Sequence, residues 1–147
     1  MTLPPDRPGP ALARGVCRML LAQGAAPLTE FAPAPGLRVD VLALARDGAV
    51  IAVECKSCLA DFRADAKWRG YLDWCDAFYF AVDASFPVEF LPPDEGVMIA
   101  DAWGGEILRP AAPRRLAAAR RRALALRVAR TAAERLLRVL DPQAGPG

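Results

Sequence analysis

Residues 38–56 read Arg38-Val-Asp-Val-Leu-Ala-Leu-Ala-Arg-Asp-Gly-Ala-Val-Ile-Ala-Val-Glu-Cys-Lys56. Two β-rich runs, 37–44 and 49–56, flank a turn signal at Asp47-Gly48, a pattern that predicts an antiparallel hairpin. Each run carries an acid where a sheet normally buries aliphatic side chains. Asp40 stands among Val39, Val41 and Leu42, and Glu54 follows Ile51-Ala52-Val53. A charge in that setting needs a partner.

Register decides whether the acids meet, because one residue of slip turns a side chain to the opposite face. A two-residue loop, Asp47-Gly48, sets Asp40 opposite Cys55 and sends Glu54 to the other side. A three-residue loop, Arg46-Asp47-Gly48 with Gly48 in the left-handed region, pairs Ala45 with Ala49 and sets Asp40 opposite Glu54. The second register is the expected one. It also places Lys56 beside Glu54, since positions two apart in a strand share a face. Two like charges directly opposite are destabilising alone, but a divalent cation between them reverses the sign. Magnesium takes oxygen ligands, typically one or two carboxylates with water and phosphate completing the set. An adjacent lysine suits a scissile phosphate or an attacking water. The expected set is therefore Asp40 and Glu54 on Mg2+ or Mn2+, the backbone carbonyl of Cys55 as a further ligand, and Lys56 acting on the water.

This arrangement resembles the PD-(D/E)xK nuclease superfamily, whose cores run helix, three antiparallel strands, helix, strand. The proline that precedes the first acid in its signature is Val39 here. The flanking pattern fits that order. Residues 11–24 have helical spacing, with Leu12, Val16, Met19 and Leu20 on one stripe and Gly24 as a stop. Many nucleases of this class carry a Glu in that helix; this one contains no acid. Glu30 is the substitute, if a loop closing Pro33 onto Leu37 sets it opposite Asp40; the other reading is a surface carboxylate on an edge strand. After Lys56 the period becomes helical over 59–74, with Asp61 as N-cap and Phe62, Ala66, Trp68, Leu72 and Trp74 toward the sheet. Residues 77–82 are a continuous apolar run suited to a buried strand, so strand, helix, strand predicts a right-handed parallel crossover. Two short runs, 96–100 and 105–108, read as a hairpin extending the sheet. Pro113 opens a long helix over 114–140, with Leu116, Ala119, Ala123, Leu126, Ala133, Leu137 and Leu140 as its apolar stripe.

Residues 53–76, together with Arg-Gly-Val-Cys-Arg in the first helix, Glu30-Phe31, Arg38-Val-Asp40 and the Arg-rich end, resemble the MmcB family of bacterial DNA-repair proteins. The resemblance covers 11–142. It implies a DNA-associated, magnesium-dependent nuclease-like domain, or a catalytically silent DNA-binding or scaffolding element among other repair proteins. It also draws in Ser57, Asp61, Asp65, Lys67, Trp68 and Tyr71 after the catalytic strand. For Phe62 and Trp68 a core role is expected, and for Asp65 a solvated surface role stands beside the one that the resemblance suggests. Lys67 stays open between surface and site, so Ser57, Asp61 and Lys67 stand with Glu30 as secondary candidates.

The whole chain has 147 residues and a net charge of +2. Up to residue 108 it holds nine Lys and Arg against fifteen Asp and Glu, a net of −6; from 109 onward, ten against two, a net of +8. That asymmetry points to a polyanionic partner. Arg114, Arg115, Arg120, Arg121, Arg122 and Arg127 are candidate DNA contacts, or the solvated face of a surface helix. Cys55-Lys-Ser-Cys58 with Cys17 and Cys75 offers four thiols, but strand alternation points Cys55 into the core, where it acts as a small hydrophobe. Four cysteines without a histidine fit a reducing compartment. No apolar run approaches the roughly 20 residues of a membrane span, and the first ten residues lack signal-peptide order, so a cytoplasmic protein is expected. The expected fold is a single α/β domain over 11–142 with irregular tails at 1–10 and 143–147. Its restriction-endonuclease-like core is a mixed four-stranded sheet, an antiparallel 1-2-3 meander plus a parallel fourth strand, flanked by helices.

Overall fold

The structure, a computed structural model, describes residues 8–145. Most of the expected tail at 1–10 lies outside these residues; the part that is described, 8–10, opens the first helix. That helix, α1 (Pro8–Ala22), is followed by strands β1 (Ala26–Phe31), β2 (Val39–Leu44) and β3 (Val50–Cys55). Next come a short helix α2 (Leu59–Ala64), a 3-10 segment (Trp68–Trp74) and strand β4 (Ala77–Val82). Strands β5 (Gly96–Ala100) and β6 (Gly105–Arg109) precede a long helix, α3 (Ala118–Leu140). Residues 143–145 belong to no helix or strand.

The hairpin register is that of the three-residue loop. Leu44 pairs with Val50 and Val41 with Val53, Ala45 N–H donates to Ala49 O at 2.9 Å, and Gly48 has φ +86. The left-handed conformation at Gly48 closes a one-residue bulge that a β-carbon would strain. Strands β1 and β2 pair antiparallel, β3 and β4 parallel, β4 and β5 parallel, and β5 and β6 antiparallel. The expected crossover is present. The β5–β6 hairpin extends the sheet, as expected from its two short runs, so the sheet counts six strands in sequential order and not the four of the core alone.

Alternation along the strands sorts the core into two layers. On one face, Val41, Ala43, Val53, Cys55, Ala81, Met98 and Ala100 meet Leu12, Val16, Met19 and Leu20, the α1 stripe expected from its spacing. Gly24, at φ +86, ends that helix. On the other face Phe78 and Phe80 form an aromatic cluster with Trp68 and Phe62, with centroid separations of 5.0 to 5.9 Å. Here the chain departs from one continuous helix over 59–74. It breaks at Asp65, which adopts an extended conformation (ψ 109) and takes the Lys67 N–H on its own carboxylate. Trp68 and Tyr71 turn inward as a result, while Ala66 stays exposed. Gly70 packs beneath Leu37: a β-carbon there would lie 3.1 Å from Leu37 Cδ2.

The long helix begins at Ala118, four residues after the expected start. Leu116 N–H donates to Asp76 Oδ1 at 2.9 Å, and the same carboxylate takes the Val50 N–H at 2.7 Å. These bonds and the Arg114–Glu95 pair hold 114–116 in a non-helical course. The chain divides into two compact units, one ending at Leu116 and one starting at Ala117. Within the second unit the buried side chains of α3 are Leu124 and Val128. Leu126, Leu137 and Leu140, placed on the apolar stripe from sequence, are exposed. A helix of alanine, leucine and arginine supports more than one phase of the 3.6 period, and the expected stripe took the wrong one.

Gly15 lets the β5–β6 turn rest on α1: a β-carbon there would overlap the Asp101 carbonyl oxygen and stand 2.9 Å from Gly104 O. Gly15→Ala is expected to destabilise the protein by about 2 kcal/mol, since overpacking outweighs the helix propensity gained. Urea denaturation checks this, and a stabilised variant would refute the close approach.

Candidate functional site

Beyond the Val41–Val53 pair, β2 and β3 stop exchanging ladder bonds, and acid side chains take up the backbone donors. Asp40 N–H donates to Glu54 Oε1 at 3.0 Å, and Cys55 N–H donates to Asp40 Oδ2 at 2.8 Å. The carboxylates thus lie across from each other, as the register requires. Lys56 follows on the same face, with Nζ 3.8 Å from Glu54 Oε2 and 2.7 Å from Asp65 Oδ2. Glu54 and Lys56 are buried, at 5% and 6% exposure, and Asp40 is half-buried. The structure therefore brings Asp40, Glu54 and Lys56 together.

The electrostatics follow from that crowding. Burial pushes the Glu54 carboxyl up to about 8, and the Asp40 charge adds to the rise; the Asp40 N–H and Lys56 oppose it without cancelling it. Asp40 is raised by burial too, against the Cys55 N–H and Lys56. For Lys56 burial acts downward, but the hydrogen bond and charge of Asp65, then the charges of Glu54 and Asp61, hold the ammonium above its ordinary value. Asp65 itself is lowered: burial raises it, and its bonds to Lys56 and the Lys67 N–H prevail.

Glu30 lies between the pairs Thr29–Val41 and Phe31–Val39, so register sets it opposite Asp40. It is exposed, and its charge contributes to the rise at Asp40. Its φ is +49, the left-handed region that a glutamate occupies at a cost. With Thr29, Asp40 and Cys55 it lines a cleft of about 550 Å³ whose other wall is α1, from Gly9 to Cys17.

The remaining candidates have definite places. Asp61 is not the N-cap of α2; Cys58 holds that position, and Asp61 accepts the Ser57 N–H at 3.3 Å from within the first turn. Its charge reaches Asp40 and Lys56. Ser57 contributes that backbone donor, and Lys67 is exposed, with its N–H on Asp65. Arg114 is committed to buried Glu95 through two bonds of 3.0 and 3.1 Å. Arg115 is exposed, as are Arg120, Arg122 and Arg127 on α3, where Arg121 is half-buried. The four thiols are free and do not converge: Cys55 and Cys75 are buried, Cys17 half-buried and Cys58 exposed.

Sequence reasoning named Asp65 after the catalytic strand, with a solvated surface role as the other reading, and missed it as the partner of Lys56. The available signal was the lysine itself, since a buried ammonium requires an acid. It also passed over the function of Tyr71, whose hydroxyl donates to Arg38 O at 2.7 Å and anchors the entry to β2.

Among the described residues no three His, Cys, Asp or Glu side chains form a metal-holding group. Asp40 and Glu54 do fit a hard cation by donor chemistry: two oxygen acids, both raised by burial, match the one or two carboxylates that magnesium takes alongside water and phosphate. Among the described residues no helix is long and apolar enough to cross a membrane.

Comparison with known proteins places these features in a family. No curated protein matches the chain. A solved structure of a protein of unknown function from Silicibacter pomeroyi is 51% identical, with a TM-score of 0.93, over 95% of this chain and 96% of that one. Residues 8–143 match the family described as DNA repair protein MmcB-like. The match takes in the acid pair, the lysine and both flanking helices, and the chain belongs to the MmcB-like family of DNA-repair proteins.

Proposed function

We propose that this protein is a divalent-metal-dependent nuclease of the PD-(D/E)xK type, hydrolysing phosphodiester bonds in DNA during repair in the cytoplasm. The observation that carries the proposal is the meeting of Asp40 and Glu54 across the parting strands, with Lys56 beside them. Two acids raised by desolvation, with the charge of Asp40 adding to the rise at Glu54, form a site whose electrostatic cost a bound cation removes.

Asp40 and Glu54 would hold Mg2+ or Mn2+, with the Cys55 carbonyl as a further ligand. When bound, the ion supplies Lewis-acid stabilisation of the charge that develops on the phosphate. The protein's own groups set the rest. The Cys55 and Asp40 N–H groups fix one oxygen of each acid, which orients both carboxylates before any substrate arrives. Lys56, kept protonated by Asp65, serves as a cation toward phosphate or water and not as a base. Glu30, across β1 from Asp40, is the carboxylate available to position the water. Exposed arginines of α3 supply contacts to the DNA backbone.

The test is cleavage of supercoiled and branched DNA with Mg2+ by wild type and by Asp40→Asn. The variant is expected to lose about 100-fold or more in rate, the usual effect of removing one electrostatic stabiliser of a developing charge. Equal cleavage by both proteins would assign the activity to a contaminant.

A second function is favoured by the incomplete ligand count: a DNA-binding or scaffolding module that recruits repair proteins and cleaves nothing. It predicts DNA binding that ignores Mg2+ and weakens when Arg120, Arg121 and Arg122 are neutralised together.

A further inference from the structure

Trp103 is 71% exposed, yet its surroundings hold it in place. It sits on the turn between β5 and β6, where Asp101 Oδ1 accepts the N–H groups of Trp103 at 2.7 Å and Gly104 at 3.0 Å. Asp101 N–H in turn donates to Gly104 O at 2.9 Å. That turn rests directly on α1 at Gly15, the one kind of residue the approach admits. Arg14 and Arg18, one turn of α1 apart, therefore project to the same side, with guanidinium carbons 5.6 and 5.0 Å from the indole centroid. Arg14 is fixed further by its Nε–H, which donates to Ala102 O at 3.1 Å. Among the described residues no carboxylate forms an ion pair with either guanidinium.

An exposed indole with two guanidinium groups beside it is well suited to binding. Arg14 connects it to the acids, because the same side chain that lies over Trp103 lines the cleft with Glu30, Asp40 and Cys55. In the adjoining grooves Trp103 has Arg18, Met19 and Gln23 on the α1 side and Asp83, Ile99 and Glu106 on the other. An aromatic face beside cations is how single strands are held: bases stack on the ring and phosphates meet the guanidinium groups. In an intact duplex the base faces are covered by their neighbours, so only an unpaired nucleotide offers a face to the indole.

We propose that Trp103, Arg14 and Arg18 form a stacking platform for an unpaired nucleobase and its flanking phosphates, selecting DNA with single-stranded character and directing it to the cleft that Arg14 shares with Glu30 and Asp40. The substrate class is then a single strand, flap or gap rather than continuous duplex. This platform rests on the proposed action on DNA but is measured without it.

The experiment is fluorescence anisotropy of an end-labelled oligo(dT) of about twelve nucleotides, a length within the usual site sizes, against a blunt duplex of equal length, in EDTA at fixed salt. Wild type is expected to bind the single strand more tightly. Trp103→Ala should weaken that binding about ten-fold, the loss of one stacked base, and Trp103→Phe should recover most of it. Arg18→Ala should lower the slope of log affinity against log salt by about 0.7. Trp103 is on the surface, so unchanged thermal unfolding of both Trp103 variants serves as the folding control. Equal affinity of wild type and Trp103→Ala for oligo(dT), or an equal loss on both substrates, overturns the proposal and makes Trp103 a contact for protein. A protein that binds oligo(dT) through Trp103 but cleaves nothing with Mg2+ keeps the platform and loses the hydrolase. One that cleaves single strand and duplex alike, with or without Trp103, keeps the hydrolase and loses the platform.

Discussion

Asp65→Ala is expected to cost about 3 kcal/mol of stability and to lower Tm by about 10 °C. Asp65 lies 2.7 Å from Lys56 Nζ, and both side chains are nearly sealed from solvent, at 10% and 7% exposure. Removing the acid leaves an ammonium in a poorly solvated position whose nearest remaining carboxylate oxygen, on Glu54, is 3.8 Å away. That residual contact keeps the loss at the lower end of the range for a broken buried pair. The distinguishing measurement is a double-mutant cycle. Lys56→Met in the Asp65→Ala background removes the stranded charge, so the double variant should be more stable than Asp65→Ala alone. Asp65→Ala with wild-type stability would show that Glu54 replaces Asp65 fully. The proposed cleavage should fall as well, because Asp65 holds the lysine in place and in its cationic form.

The second large effect is a pH dependence with an unusual sign. Glu54 titrates at about 8 in the folded protein against an ordinary 4.5, so between these values the folded state binds more protons than the unfolded state. Such a group contributes stability in full below the unfolded pKa and loses it as pH rises through the folded one. Asp40, also raised, acts in the same direction. Lys56 is raised from 10.5 and Asp65 lowered from 3.8, so their contributions are lost only above and below this window. The metal-free protein should therefore lose about 3 kcal/mol between pH 5.5 and pH 8. Glu54→Gln should flatten the profile. Saturating Mg2+ should restore stability at pH 8 more than at pH 5.5, because only the ionised pair attracts the cation. Thermal unfolding at both pH values, with EDTA and with Mg2+, provides the measurement. A profile that rises with pH in EDTA would mean that burial does not raise Glu54 in the folded protein.

The residues of the site were legible to different degrees. Asp40 and Glu54 stood out because an acid amid valines violates the strand pattern, and Gly48 after Asp47 announced the loop that sets them opposite. Lys56 followed from period two. Glu30 opposite Asp40 depended on a second turn, closed by Leu37 N–H on Ala34 O at 3.1 Å, and its register was anticipated from Pro33 and Leu37. Its left-handed backbone was not, since nothing in Thr29-Glu30-Phe31 requires it. The break of the helix at Asp65 was hidden because its residues have good helical spacing; an Asx-type bond to the Lys67 N–H and the attraction of Lys56 override that preference.

Sequence alone determined the strands, the α1 stripe, the hairpin register and so the meeting of the two acids, because turn chemistry and side-chain alternation act between neighbours in the chain. Tertiary structure alone decided the partner of Lys56, the late start of α3 after Asp76 captures the Leu116 N–H, and the seating of Trp103 over Arg14 and Arg18 at Gly15. Each of these joins residues far apart in sequence, and no local pattern records which distant group will satisfy a buried charge, an open N–H or a bare glycine.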